Sequence, residues 1–155
     1  MIRRAALLCL LAAPAIAQEP SWSGAGVVPC DELAGAEFIA EPWEENSATF
    51  ANGDIRVALL DGIEPAAAAY RLLILSPPYD EVGGRQCRMV GIPGGHGYGA
   101  IEFAARHASY DPETGLTLIL PARQPDPDPA GDDGWFQLAV RINQQTGEIV
   151  TTGVK

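Results

Sequence analysis

Histidine is scarce in this chain, with two residues, as are cysteine, with three, and basic side chains, with ten against twenty acids. A phosphate backbone or an anionic membrane surface is held by clustered Lys and Arg, so the shortage of basic groups excludes nucleic acid and acidic lipid as partners. The two histidines, His96 and His107, do not form a close ligand pair at helical or ribbon spacing, and zinc is not expected. No serine lies in a GxSxG setting and no two cysteines have CxxC spacing, which removes the nucleophile elbow and the dithiol redox motif. The segment from Gly91 to Gly99 is dense in glycine but lacks the lysine of a phosphate-binding loop and opens no helix, so it reads as a connection. No apolar run approaches the ~20 residues that cross a bilayer, and no stretch sustains a helical period.

What is present begins with Arg3 and Arg4, an apolar run from Ala5 to Ala13, and then Pro14-Ala15-Ile16-Ala17. Charged, apolar and small-x-small segments in that order predict a secretory signal peptide over residues 1–17, cleaved after Ala17. Cys9 sits inside the apolar run behind Leu8, where lipid attachment would want a small residue, so the ordinary signal is preferred to a lipoprotein. Cleavage would remove two arginines and no acid, and the formal charge of −10 would become −12. The protein is therefore expected to be periplasmic or secreted. Its acidity serves solubility, and it would also attract a basic partner or a cation.

Cleavage also leaves two cysteines, Cys30 and Cys87, in an oxidising compartment, and this predicts one structural disulfide. On the strand around Arg85 to Ile92, Cys87 and Met89 share a face, so the bridge is expected to point inward.

After the signal, residues 18–29 are rich in Ser, Gly and Pro and suggest a mobile lead, with a single antiparallel β domain over residues 30–155. Asp31 to Ala36 could form one helical turn, Phe38 to Ala40 a brief strand, and Glu41, Glu44 and Glu45 an acidic loop around Trp43. Asn52-Gly53 is a turn, followed by alternation of Ile55, Val57 and Leu59 with polar or small residues in a strand. The run from Ala66 to Leu75 suits a helix start or a buried strand, and its length and neighbours favour the strand, ended by Ser76-Pro77-Pro78. Two hairpins follow, each turning on an Asx-x-x-Thr-Gly sequence: Asp111 to Gly115 and Asn143 to Gly147. With Asp111 facing Leu116, Phe103, Ala105, His107 and Ser109 share a face with Leu116, Leu118 and Leu120. In the second hairpin Ile142 faces Ile149, which turns Phe136, Leu138 and Val140 inward. The expected fold is all-β, an antiparallel barrel or a two-layer sandwich of about eight strands built from consecutive hairpins, with one disulfide.

Candidate sites are few. His107 and Ser109, two apart on one strand, are the sole arrangement resembling a base beside a hydroxyl, but no carboxylate is placed to orient the imidazole and no catalytic residue is assigned. In a barrel the same two side chains, with Phe103, would face a lumen able to hold a small apolar ligand, so these three are the candidate ligand-binding residues. Asp126, Asp128, Asp132 and Asp133 offer hard oxygen ligands at short intervals and are the candidate calcium site, set against a merely solvated loop because the spacing is not that of an EF-hand and Pro127 and Pro129 restrict convergence. Otherwise no cofactor is expected. Three functions follow: a non-enzymatic binding or protein-interaction module in the cell envelope, with an unknown protein or small apolar ligand as partner; an acidic inhibitor of a basic envelope-degrading enzyme such as a lysozyme; and a hydrolase using His107 and Ser109.

Overall fold

Among the described residues, ten strands form two antiparallel sheets that meet across one apolar core. The computed structural model describes residues 21–63, 65–125 and 133–154, so the segment read as a signal peptide and its cleavage point after Ala17 lie outside the described residues. The first sheet orders its strands β1 (Val27–Pro29), β5 (Arg85–Val90), β4 (Tyr70–Tyr79), β3 (Ile55–Asp61) and β2 (Ser47–Phe50). The second runs β10 (Ile149–Val154), β9 (Trp135–Ile142), β8 (Gly115–Arg123), with β6 (Ala100–Ile101) and β7 (His107–Asp111) sharing the outer edge of β8. Among the described residues the strands close no barrel, and the arrangement is that of a two-layer sandwich.

The inner faces follow from alternation. Ile55, Val57 and Leu59 of β3, Leu72 and Ile74 of β4 and Val90 of β5 meet Leu116, Leu118, Leu120, Leu138, Val140 and Ile142 of the second sheet, all buried. Each such side chain contributes roughly 1.5–3 kcal/mol on leaving water. Tyr98 joins this core and donates its hydroxyl to the Gly91 carbonyl oxygen at 3.0 Å, and burial pushes that phenol far above its usual range.

The outer face of the first sheet is covered as well. Leu60, Ala58, Leu73 and Met89 form a second cluster with Leu33, Phe38, Ile39, Cys30 and Cys87, under the segment that follows β1. This explains the continuous Leu72 to Leu75 run, because a strand covered on both faces has no wet face to alternate with. The expected strand is present as β4, preceded by a single 3-10 turn over Ala66–Ala68. It does not stop at Ser76-Pro77-Pro78 but continues to Tyr79, with the pairing to β5 shifted between Ser76 and Tyr79 so that the prolines owe no ladder bonds. Asp31 caps a 3-10 turn over Glu32–Ala34, accepting the Leu33 N–H at 2.9 Å.

Cys30 and Cys87 are joined, with Cα atoms 5.5 Å apart. The bridge belongs to the outer cluster and not to the inter-sheet core, which corrects its expected direction: Leu72, Ile74 and Val90 supply the inter-sheet face, and Cys87 and Met89 necessarily point the other way. Part of the expected lead is also tied down, by β1 pairing with β5 and by Ser23 bridging Thr151.

The second hairpin has the expected register, with Ile142 facing Ile149 and the tip held by the Asn143 side-chain oxygen, which accepts the N–H groups of Gln145 and Thr146 at 3.0 and 3.1 Å. The first hairpin is one residue tighter than expected. Asp111 faces Gly115, not Leu116, and Ala108 and Tyr110 therefore stand opposite Leu118 and Leu116 on the inner face. His107 and Ser109 stand opposite Ile119 and Thr117 on the outer face. A single step of register exchanges the faces of a whole strand. Phe103 and Ala105 leave the strand altogether, in a 3-10 turn over Phe103–Ala105 between β6 and β7.

Candidate binding groove at the open edge

The two lateral edges of the sandwich differ. On one side the lead segment crosses from sheet to sheet: Ser23 and Thr151 exchange two backbone hydrogen bonds at 2.9 and 2.8 Å, and β1 continues onto β5. On the other side β2 ends the first sheet while β6 and β7 end the second, and the space between them is open.

Two clefts lie along that open side. One, of about 550 Å³, is walled by Phe50 and Ala51 at the end of β2 and by Ala108, Tyr110 and Leu116 across from them, with Gln144 at its end. The other, of about 630 Å³, lies between Ile39, Ala40 and Glu41 on one side and Gly99, Ala100 and Ile101 on the other. Phe103, on the turn between β6 and β7, is buried, and the Arg106 guanidinium lies 4.4 Å above its ring while donating to the Phe103 carbonyl oxygen at 2.9 Å. Asp54 in the first cleft and Glu37, Glu41 and Asp61 in the second are their charged lining residues, all acidic. Asp54 is pinned there by the Tyr79 hydroxyl, which donates to its carboxylate at 2.6 Å, and that bond raises the Tyr79 phenol above its usual range.

Every residue of β7 is exposed, and Tyr110 keeps 62% of its surface over the first cleft. The strand pairs with β8 on one side only, so the backbone N–H and C=O groups of alternate residues point away from the sheet. Its far end is rigid: Asp111 accepts from the Glu113 and Thr114 N–H groups at 2.9 Å each and from the Thr114 hydroxyl at 3.1 Å, all on Oδ1. Thr114 first and Glu113 second hold that carboxyl below its ordinary value. The tip rests on the neighbouring hairpin, where Asn143 Nδ2 donates to the Glu113 carbonyl oxygen at 3.4 Å.

The structure does not gather the expected ligand residues. Phe103 is in the core and His107 is exposed on the outer face, whereas Ser109, also exposed, borders the first cleft; neither the His107 nor the Ser109 side chain bonds to another described residue. Of the expected calcium ligands, Asp126, Asp128 and Asp132 lie outside the described residues, and Asp133 is exposed with its carboxylate accepting the Trp135 N–H at 3.2 Å. Among the described residues no three metal-ligating groups converge. Leu116 and Ser109 are among the residues the sequence points to; Tyr110 escapes it because the tighter turn at Gly115 carries that side chain to the inner face, and Phe50 and Ala51 escape it because their place opposite β7 is set by packing remote in sequence.

No family model, curated protein or solved structure matches this chain. A disulfide joining Cys30, just after β1, to Cys87 of β5 fits an oxidising compartment outside the cytoplasm, and among the described residues no helix is long and apolar enough to cross a membrane.

Proposed function

We propose that this chain is a non-enzymatic protein-interaction module of the cell envelope, periplasmic or secreted after cleavage at Ala17, which recruits an extended segment onto the free edge of β7. One observation carries the reading: a wholly exposed edge strand runs beside an apolar cleft, while the opposite edge of the same sandwich is laced shut. Folded proteins normally blunt such an edge, and an added strand satisfies its backbone groups while alternate side chains enter the adjoining pocket. Phe50, Ala51 and Leu116 suit an apolar side chain there, and the acidic lining favours a neutral or cationic segment. Co-purification from an envelope extract with the wild type and with Tyr110→Asp tests it. The partner, whether another protein or a second copy of the chain, is expected with the first and not the second, and retention by both, or neither capture nor self-association by the wild type, sinks the assignment.

The acidic lining of the same groove also favours a second reading, inhibition of a basic envelope-degrading enzyme such as a lysozyme. Unchanged lysozyme activity at excess protein would eliminate it.

A further inference from the structure

The β7 edge has a pattern of its own. Its N-terminal end carries Arg106 and His107 and its C-terminal end Asp111 and Glu113, so the strand is basic at one end and acidic at the other. Ser109 is the middle residue. An antiparallel partner with the same sequence, centred on Ser109, would set His107 against Asp111 at both ends of the contact, with Ser109 against Ser109 between them. These three residues are on the outer face, where His107 and Ser109 share neighbours with Ile119 and Thr117. On the inner face Ala108 would stand opposite Tyr110, a small side chain beside a large one, again twice.

We propose that the segment recruited by β7 is β7 of a second copy of this chain, giving a two-fold dimer with one continuous sheet. The inference rests on the reading of β7 as a strand-adding edge and names its occupant. Charge complementarity selects this arrangement: parallel pairing in register would put carboxylate on carboxylate at Asp111, whereas the antiparallel one sets each Asp111 carboxylate against the imidazole of His107, which can donate to it. The Asp111 carboxylate is suited to it, because the turn bonds all land on Oδ1. The open cleft is also completed: Tyr110 of the second copy arrives over Ala108, so the apolar space bounded by Phe50, Ala51 and Leu116 acquires a second aromatic wall. Five residues a side make a small interface, well under the ~1,200 Å² of stable complexes, and association in the micromolar to millimolar range follows.

Sedimentation equilibrium of the full chain over that concentration range is the test. The wild type is expected to show a monomer–dimer equilibrium. Ser109→Lys places like charges face to face at the two-fold and should weaken it about fivefold. His107→Glu creates two repelling pairs with Asp111 and should weaken it about tenfold or more. Both positions are exposed, and an unchanged thermal midpoint will verify folding. Ser109→Cys should yield a disulfide-linked dimer on mild oxidation, and Ala108→Cys, offset from its own copy, should not. A wild type that stays monomeric at millimolar concentration, or a dimer indifferent to both charged variants, overturns the proposal. If a monomeric wild type still captures an envelope partner in a Tyr110-dependent way, the strand-adding reading survives and the second copy does not.

Discussion

The side-chain amide of Gln86, on β5 of the first sheet, donates to the carbonyl oxygen of Gly147 at 2.8 Å, in the tip of the last hairpin of the second sheet. The same nitrogen lies 2.9 Å from the Pro77 carbonyl oxygen and 3.1 Å from the Ser76 hydroxyl, and Ser76 is fully buried. One amide thus ties the irregular end of β4 to the opposite layer. Replacing Gln86 by Ala leaves these acceptors without their shared donor and should cost about 1–3 kcal/mol in urea unfolding. Gln145→Ala is the control: that side chain is exposed and only 3.5 Å from the Pro112 carbonyl oxygen, so about 0.5 kcal/mol or less is expected.

Gly115 provides a second test. Its φ of +89° is left-handed, and a β-carbon there would strike the carbonyl oxygen of Ile142 and approach Asn143 Cα to 3.0 Å. Both obstacles are backbone, which cannot swing aside. Gly115→Ala should destabilise the protein by about 2 kcal/mol or more, whereas Gly53→Ala, with a φ of +94° but open space around it, should cost about 1 kcal/mol. Equal losses in denaturant titrations would show that the hairpin packing contributes nothing.

The disulfide closes a loop with a sequence separation of 57, for which chain entropy gives about 4 kcal/mol of stabilisation. Replacing Cys30 and Cys87 together by Ala should lower the unfolding free energy by roughly that amount. Because the bridge lies in the cluster outside the inter-sheet core, near-ultraviolet circular dichroism of the folded variant should stay native.

Acid titration isolates the turn at Asp111. Its carboxyl is held below the ordinary value of 3.8, first by Thr114 and then by Glu113, so the folded state favours the charged form. That contribution is fully present above the unfolded value and disappears as pH falls through the lowered folded value. Asp111→Asn should therefore be less stable than the wild type at neutral pH, with the gap closing only below about pH 4. A gap independent of pH would assign the difference to geometry and not to charge.

The legible parts of the fold were those where local chemistry and tertiary packing agree. Ile55 to Leu59 alternate cleanly, Asn143 to Gly147 set their own register, and Cys30 and Cys87, the two cysteines outside the leading apolar run, are joined. The groove was hidden because Asp111-Pro112-Glu113-Thr114-Gly115 admits two closures that differ by one residue, and Gly115 settles the matter only by lying against Ile142, a contact remote in sequence. Cys87 misled in a similar way: its face is apolar, but a sheet covered on both sides has two apolar faces, and alternation cannot rank them.

The division of labour between the two layers has a consequence for assembly of the molecule. Strands β1 to β5 all precede the glycine-rich connection at residues 91–99 and strands β6 to β10 all follow it, so neither layer borrows a strand from the other half of the chain. Each half can form its own layer from its own strands, mostly as neighbouring hairpins, but until its counterpart arrives a full row of leucine, isoleucine and valine stays in water. Severing the backbone within that connection would thus yield two pieces, each with a complete pleated layer and a sticky side, whose reunion rebuilds the protein without any threading.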